Sequence, residues 1–254
     1  MTVVSGCKQQ QWPNALVIGT DATYPPFEYT DDRGELAGVD VDLGKALAAD
    51  LGVPVVFKNI QFDGLIPALQ SGSVDIIISS MTDTPERRKS LDFSDPYVTT
   101  AICLLVPKAS PTKSAEDLKT GKRRVVTKIA TTGELWSRAN LPNAEVVAFD
   151  TDSACVMEVA KGSADAWVYD QISVMNYAMH HPDTTRAILA PIRAEHWAVA
   201  LPHGQDDLKQ KINAFIKKHR EAGKFDELAG KYLAKERDFM KAQGIPFLFE
   251  VTVR

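Results

Sequence analysis

From about residue 16 onward the chain alternates short apolar runs with amphipathic stretches. Leu16–Thr20 (LVIGT) predicts a short buried strand, and the turn-rich Asp21-Ala22-Thr23-Tyr24-Pro25-Pro26-Phe27-Glu28 after it is stiffened by two prolines. Over residues 41–51 leucines recur at positions 43, 47 and 51, which predicts an amphipathic helix ended by Gly52; residues 55–57 predict the next strand. A helix over 65–70, a break at Gly72-Ser73 and a strand over 74–78 (VDIII) extend the alternation. Such a pattern predicts an α/β fold with mostly parallel strands, because a parallel pair needs a crossover long enough to hold a helix.

An internal repeat sharpens this. Gly72-Ser73-Val74-Asp75 and Gly162-Ser163-Ala164-Asp165 stand 90 positions apart, each after a helix-like stretch and before a strand. Two similar lobes are expected, each a mostly parallel sheet flanked by helices. The strand after the first repeat ends at Ser79-Ser80 and that after the second at Tyr169-Asp170, the carboxyl-end positions where open α/β sheets bind ligands. Residues 123–129 and 198–201 predict further strands, and 206–222 a long helix with Leu208, Ile212, Phe215 and His219 on one face. The expected division is a tail over 1–15, a first lobe built from 16–98 and 196–254, and a second lobe over 99–195. Two connections, near 98–100 and 194–197, would form a two-stranded hinge over a cleft.

Charge and composition exclude some functions. Twenty-nine Lys and Arg against thirty-three Asp and Glu give a net charge of −4, a poor start for binding nucleic acid. The longest apolar run, 101–106, has six residues, against roughly 20 for a bilayer span. Val4-Ser5-Gly6-Cys7 followed by polar residues resembles the lipobox of bacterial lipoproteins, which implies export and contact with a membrane only through a lipid on Cys7. Cys103 and Cys155 lie in apolar runs with no metal-ligand spacing and read as buried thiols, a bridge between them being the alternative in an exported protein.

The chain contains no GxSxG, HExxH, GxxxxGK[ST] or GxGxxG motif, and neither a metal nor a cofactor is expected. His180-His181, at a predicted helix end, reads as structural. Thr84-Pro85-Glu86 reads as the cap and first turn of a helix, which puts Arg87, Arg88 and Lys89 where the helix dipole disfavours cations. A bound carboxylate would offset this; solvated surface cations are the alternative, more so for Arg88 and Lys89. Ala130-Thr131-Thr132-Gly133-Glu134 opens another predicted helix whose amides would cap an anion. Asp170 would then balance an α-ammonium, or else cap the helix that follows it. With Arg87 and Thr132 on the carboxylate, the charge balance points to a zwitterion.

At this point the chain resembles the extracytoplasmic amino-acid-binding proteins of ABC importers, the family of the histidine, lysine/arginine/ornithine and glutamine binders. The resemblance spans about residues 16–233 and rests on Gly19-Thr20-Asp21-Ala22-Thr23-Tyr24-Pro25-Pro26-Phe27-Glu28, Gly38-Val39-Asp40-Val41-Asp42-Leu43, Phe62-Asp63-Gly64-Leu65-Ile66-Pro67-Ala68-Leu69, Asp75-Ile76 with Ser79-Ser80-Met81-Thr82, Thr84-Pro85-Glu86-Arg87 and Asp92-Phe93-Ser94-Asp95-Pro96-Tyr97. It implies a type II periplasmic-binding-protein fold and a periplasmic monomer that delivers an amino acid to a membrane permease. It also implies that Tyr24 and Phe62 wall the ligand's side chain, that Ser80 and Thr82 are donors near its head group with Ser79 among the binding residues, and that Arg87 clamps its carboxylate. Thr131 and Thr132 would supply further donors, Asp170 would accept the α-ammonium, and Asp21 and Lys128 would meet the side-chain end. An amide offers a donor to Asp21 and an acceptor to Lys128, so glutamine or a similar neutral polar amino acid is the expected ligand, with a basic amino acid the alternative. The rival of another class is a cyclohexadienyl-dehydratase-like enzyme on the same fold, with Glu134 or Asp170 as its acid. Two departures stand out: Ala130 where the family often has Gly, and a long tail beyond Leu233.

Overall fold

A computed structural model describes residues 15–250; Cys7, with most of the expected N-terminal tail, and the last residues from 251 lie outside them. In chain order the strands and helices are β1 (Leu16–Thr20), β2 (Thr23–Tyr24), β3 (Glu28–Thr30), β4 (Leu36–Ala37), α1 (Val39–Leu51), β5 (Val55–Asn59), α2 (Phe62–Gln70), β6 (Ile76–Ile77) and β7 (Asp92–Pro107). They continue with β8 (Arg124–Lys128), α3 (Thr132–Asn140), β9 (Glu145–Phe149), α4 (Asp152–Ala160), β10 (Ala166–Asp170), α5 (Gln171–His180), β11 (Thr185–Leu201), α6 (Asp206–Glu221), α7 (Lys224–Tyr232) and α8 (Ala234–Ala242).

The strands of both expected lobes join in one eight-stranded sheet, ordered β5-β1-β6-β11-β7-β10-β8-β9. Its flanks are parallel: β1 runs with β5 and β6, and β8 with β9 and β10. The centre is an antiparallel pair, β7 of 16 residues and β11 of 17, long enough to serve both flanks in turn. Near their midpoints Val98 faces Trp197, Thr99 faces His196 and Thr100 faces Glu195, with register shifts on either side. The expected two-stranded hinge is thus built from two continuous strands that cross from one half of the sheet to the other, and the strand expected over 198–201 is the end of β11, which begins at Thr185. A small β2-β3-β4 sheet went unpredicted because strands of two or three residues hold no readable period.

The repeat has a physical basis in both halves. Gly72 and Gly162 adopt the left-handed conformation (φ 72° and 73°) that closes the preceding helix. Asp75 Oδ2 accepts the Val17 N–H at 2.8 Å while its own N–H donates to the Val17 carbonyl, and Asp165 repeats both bonds with Arg124. Each aspartate thereby ties the start of a strand to a parallel neighbour. Among the bounds that change, α2 begins at Phe62, β6 spans only Ile76–Ile77, and the helix expected after Thr84 is a single 3-10 turn, Arg87–Lys89.

Burial is continuous through the centre, where Tyr97, Trp167, Trp197 and Leu105 are 0% exposed. Cys103 and Cys155 are buried and unbridged, and burial pushes the Cys103 thiol up to about 12. Among the described residues no helix is long and apolar enough to cross a membrane.

Candidate functional site

The carboxyl ends of β1, β6, β8 and β10 converge on one cavity, and the loops and helix starts after them line it. Asp21, Tyr24, Phe62, Ser79, Ser80, Thr82 and Arg87 reach it from one half of the sheet, and Lys128, Thr131, Thr132 and Asp170 from the other. The eleven residues expected to bind the ligand therefore share one cavity, joined by Glu28 and Tyr169. Glu28 was quoted within the Pro-Pro-Phe-Glu motif without a role, and Tyr169 directly precedes Asp170; adjacency was the available signal.

Arg87 is 7% exposed. Its Nη1 donates to the Thr82 carbonyl at 2.7 Å and its Nη2 to the Ala130 carbonyl, across the cavity, at 3.1 Å. A guanidinium has five N–H donors, so donors remain for a bidentate carboxylate. Burial lowers its pKa to about 10, with Glu195 and Asp170 opposing, so it stays cationic at neutral pH. The expected helix-dipole penalty on Arg87 is absent, because the three-residue 3-10 turn that carries it has no appreciable macrodipole. Arg88 pairs with Asp83 and lies over the Phe93 ring at 5.8 Å, outside the cavity.

Asp170 is the last residue of β10 and precedes α5, yet its side chain makes no capping bond, which removes the helix-cap alternative. Its Oδ1 is buried without a hydrogen-bond partner. Burial, then Glu195 and Asp152, hold its pKa well above the usual carboxylate range. An unpartnered buried carboxyl oxygen is costly unless a cation or donor meets it.

The side-chain end departs from expectation. Lys128 Nζ donates to Asp21 Oδ2 at 2.7 Å and to Thr23 Oγ1 at 3.0 Å, so the expected acceptor and donor are bonded to each other. Burial works against the ammonium, but Asp152 and Asp21 outweigh it and raise the Lys128 pKa. Asp152, 3.9 Å from Lys128 Nζ, is pushed up to about 7 by burial despite that neighbour. Glu28 accepts the Ser79 and Ser80 hydroxyls at 3.0 and 3.1 Å, and burial followed by Asp40 raises its pKa well above normal. Tyr24 and Tyr169 meet edge to face at 5.9 Å across the cavity.

Thr82 and Thr132 also differ from the reading, since both hydroxyls donate to Glu195, which sequence reasoning missed. Ala130 occupies the left-handed region (φ 60°) that glycine would take without penalty, and its N–H is held by Glu134 Oε2 at 2.7 Å. Glu134 is further bonded to Arg138 and does not line the cavity. Among the described residues no cluster of His, Cys, Asp and Glu has the makings of a metal site.

This architecture, two half-sheets closing on a polar cavity, defines a two-lobed solute-binding fold. The description "bacterial extracellular solute-binding proteins, family 3" matches residues 16–235, and the chain belongs to that family. A probable histidine-binding protein of Neisseria gonorrhoeae is 32% identical over 222 residues, covering 86% of this chain and 83% of the relative. An ancestral arginine-binding protein, solved bound to glutamine, superposes with a TM-score of 0.80 at 36% identity, covering 88% and 99% of the two chains. An ancestral amino-acid-binding protein described as a precursor of cyclohexadienyl dehydratase gives a TM-score of 0.79 at 38% identity, covering 86% and 95%.

Proposed function

We propose that this protein captures a polar L-amino acid between two hinged lobes, 16–98 with 196–254 and 99–195, for delivery to an ABC permease outside the cytoplasm. Arg87 takes the ligand's carboxylate and Asp170 its α-ammonium. The observation that carries this reading is the unpartnered Asp170 Oδ1 in the cavity that Arg87 lines from the opposite half. An α-ammonium there supplies the missing donor and returns Asp170 to its ionised form. Charge pairs in a closed, water-poor cleft would provide most of the affinity.

Glutamine or a similar neutral polar amino acid remains the first reading for the side chain, because the Lys128–Asp21 pair presents a neutral polar edge. A basic amino acid is the second, favoured by Glu28: with it the lining holds three carboxyls, Asp21, Glu28 and Asp170, against Lys128 and Arg87. A thermal-shift screen of the twenty amino acids separates the two, since a ligand at 100 times its Kd adds about 2.7 kcal/mol of stability. Arg87→Ala is expected to weaken binding of every responsive amino acid by at least about 30-fold in calorimetric titration, because the carboxylate loses its fork. Unchanged affinity would remove Arg87 from the site.

The raised pKa of Asp170 favours a dehydratase, as a protonated carboxyl can act as a general acid, and so does the likeness to a protein described as a dehydratase precursor. Facing an α-ammonium, however, the same group is ionised and a poor donor. Formation of phenylpyruvate from prephenate, followed by absorbance, would establish the enzyme reading.

A further inference from the structure

Glu195 lies near the middle of β11, opposite Thr100 of β7, and is 2% exposed. Its Oε2 accepts two hydroxyls at 2.8 Å, one from Thr82 in the loop after β6 and one from Thr132 at the first turn of α3. Its Oε1 accepts Arg193 Nη2 at 2.6 Å and Nε at 3.2 Å. One carboxylate on a crossing strand thus collects a donor from each half of the sheet and is held in place by a guanidinium two residues away on its own strand. The desolvation of such a group is offset only when its acceptor sites are filled, and here four donor contacts fill them. Both threonine bonds exist together only when the two halves are drawn up to the crossing strands.

We propose that Glu195 is a positioning residue that couples closure of the two halves to the shape of the head-group pocket. It acts as an internal carboxylate that gathers Thr82 and Thr132, fixes their rotamers and leaves the remaining Arg87 donors as the charged clamp for the ligand. The proposal rests on the reading of this cavity as an amino-acid site for its effect on affinity, but its effect on closure is measurable without any ligand.

The test uses the full chain with Cys7→Ser and spin labels at Val56→Cys and Met157→Cys. These positions are exposed, at 48% and 54%, and sit on β5 and α4, in opposite halves of the sheet. In ligand-free protein, Glu195→Ala is expected to broaden the label-to-label distance distribution toward longer distances. Thr132→Val, which leaves Glu195 and Arg193 in place, should do the same to a smaller degree and carries the test if Glu195→Ala fails to fold. Glu195→Gln, which keeps a carbonyl for both hydroxyls, should lie nearer the parent. Affinity for the amino acid that best stabilises the parent in the screen should fall at least about tenfold in Glu195→Ala. A distance distribution unchanged in Glu195→Ala, or in Thr132→Val where that variant carries the test, overturns the coupling role, even if melting temperature falls. A shifted distribution in a protein that binds none of the twenty amino acids keeps Glu195 as the coupler and defeats the proposed function instead.

Discussion

Asp152 shows what burial does to one carboxyl and gives it a measurable consequence. Its folded-state pKa is about 7, against an ordinary aspartate value near 3.9 in the unfolded chain. Between about pH 4 and 7 the folded protein therefore holds a proton that the unfolded chain releases, and stability falls as pH rises through that window. Asp152→Asn removes this dependence, so its stability relative to the parent should improve from pH 4.5 to pH 8 in urea unfolding; an equal difference at both pH values would contradict the assignment. Of the other raised carboxyls, Glu28 and Asp40 act alike in parent and variant and largely cancel, whereas Asp170, whose pKa the Asp152 charge helps to raise, shifts down in the variant and adds to the difference with the same sign. At this scale much of the cavity was legible, because Arg87, Thr132 and Asp170 follow strand ends or open predicted helices. Glu195 was not: it bonds Thr82 from 113 positions away and sits on a strand with no motif around it. The mutual pairing of Lys128 and Asp21, 107 positions apart, was equally hidden, since only the folded chain determines which charges meet.

Among the elements, α3 and β10 place the second wall of the cavity, and Gly133 sets how closely they approach. A Cβ at Gly133 would stand 2.2 Å from the Val168 carbonyl oxygen, a backbone atom that cannot give way. Gly133→Ala should push the start of α3 off β10, separate Thr132 from Asp170, and cost about 1–3 kcal/mol of stability together with weakened binding. Parent-like urea midpoints and titrations would show the helix free to adjust. The helices α1 and α6 were legible from leucine and isoleucine spacing, whereas the 3-10 turn at Arg87 was not, because cap residues mark a start without specifying a length. The tail beyond α8, for which the sequence offered no account, has a structural one: Leu248 and Phe249 are buried, the Leu248 carbonyl accepts the Thr99 N–H at 2.8 Å, and Arg220 holds the Phe249 carbonyl at 2.6 Å. Residues 248–249 therefore pack beside β7 where that strand crosses between the halves.

For the whole molecule, the repeat at Gly72 and Gly162 pointed to two halves and the two connections to a hinge between them, but the full length of β7 and β11 was not legible. Each half of a crossing strand reads as a separate strand in its own surroundings. The two halves meet through Lys128 with Asp21, Arg87 with the Ala130 carbonyl, and Glu195 with its two threonines, all beside one cavity. The central claim is that the dipolar head group of an amino acid is held by opposite charges from opposite halves. Its most direct test is a calorimetric titration with the preferred amino acid and two analogues, one lacking the α-carboxylate and one lacking the α-ammonium. For glutamine these are 4-aminobutyramide and glutaramic acid; for arginine, agmatine and 5-guanidinovaleric acid. Each analogue strands one buried charge, so both should bind at least about 30-fold more weakly than the parent amino acid. Either analogue binding as tightly as the amino acid would contradict the account.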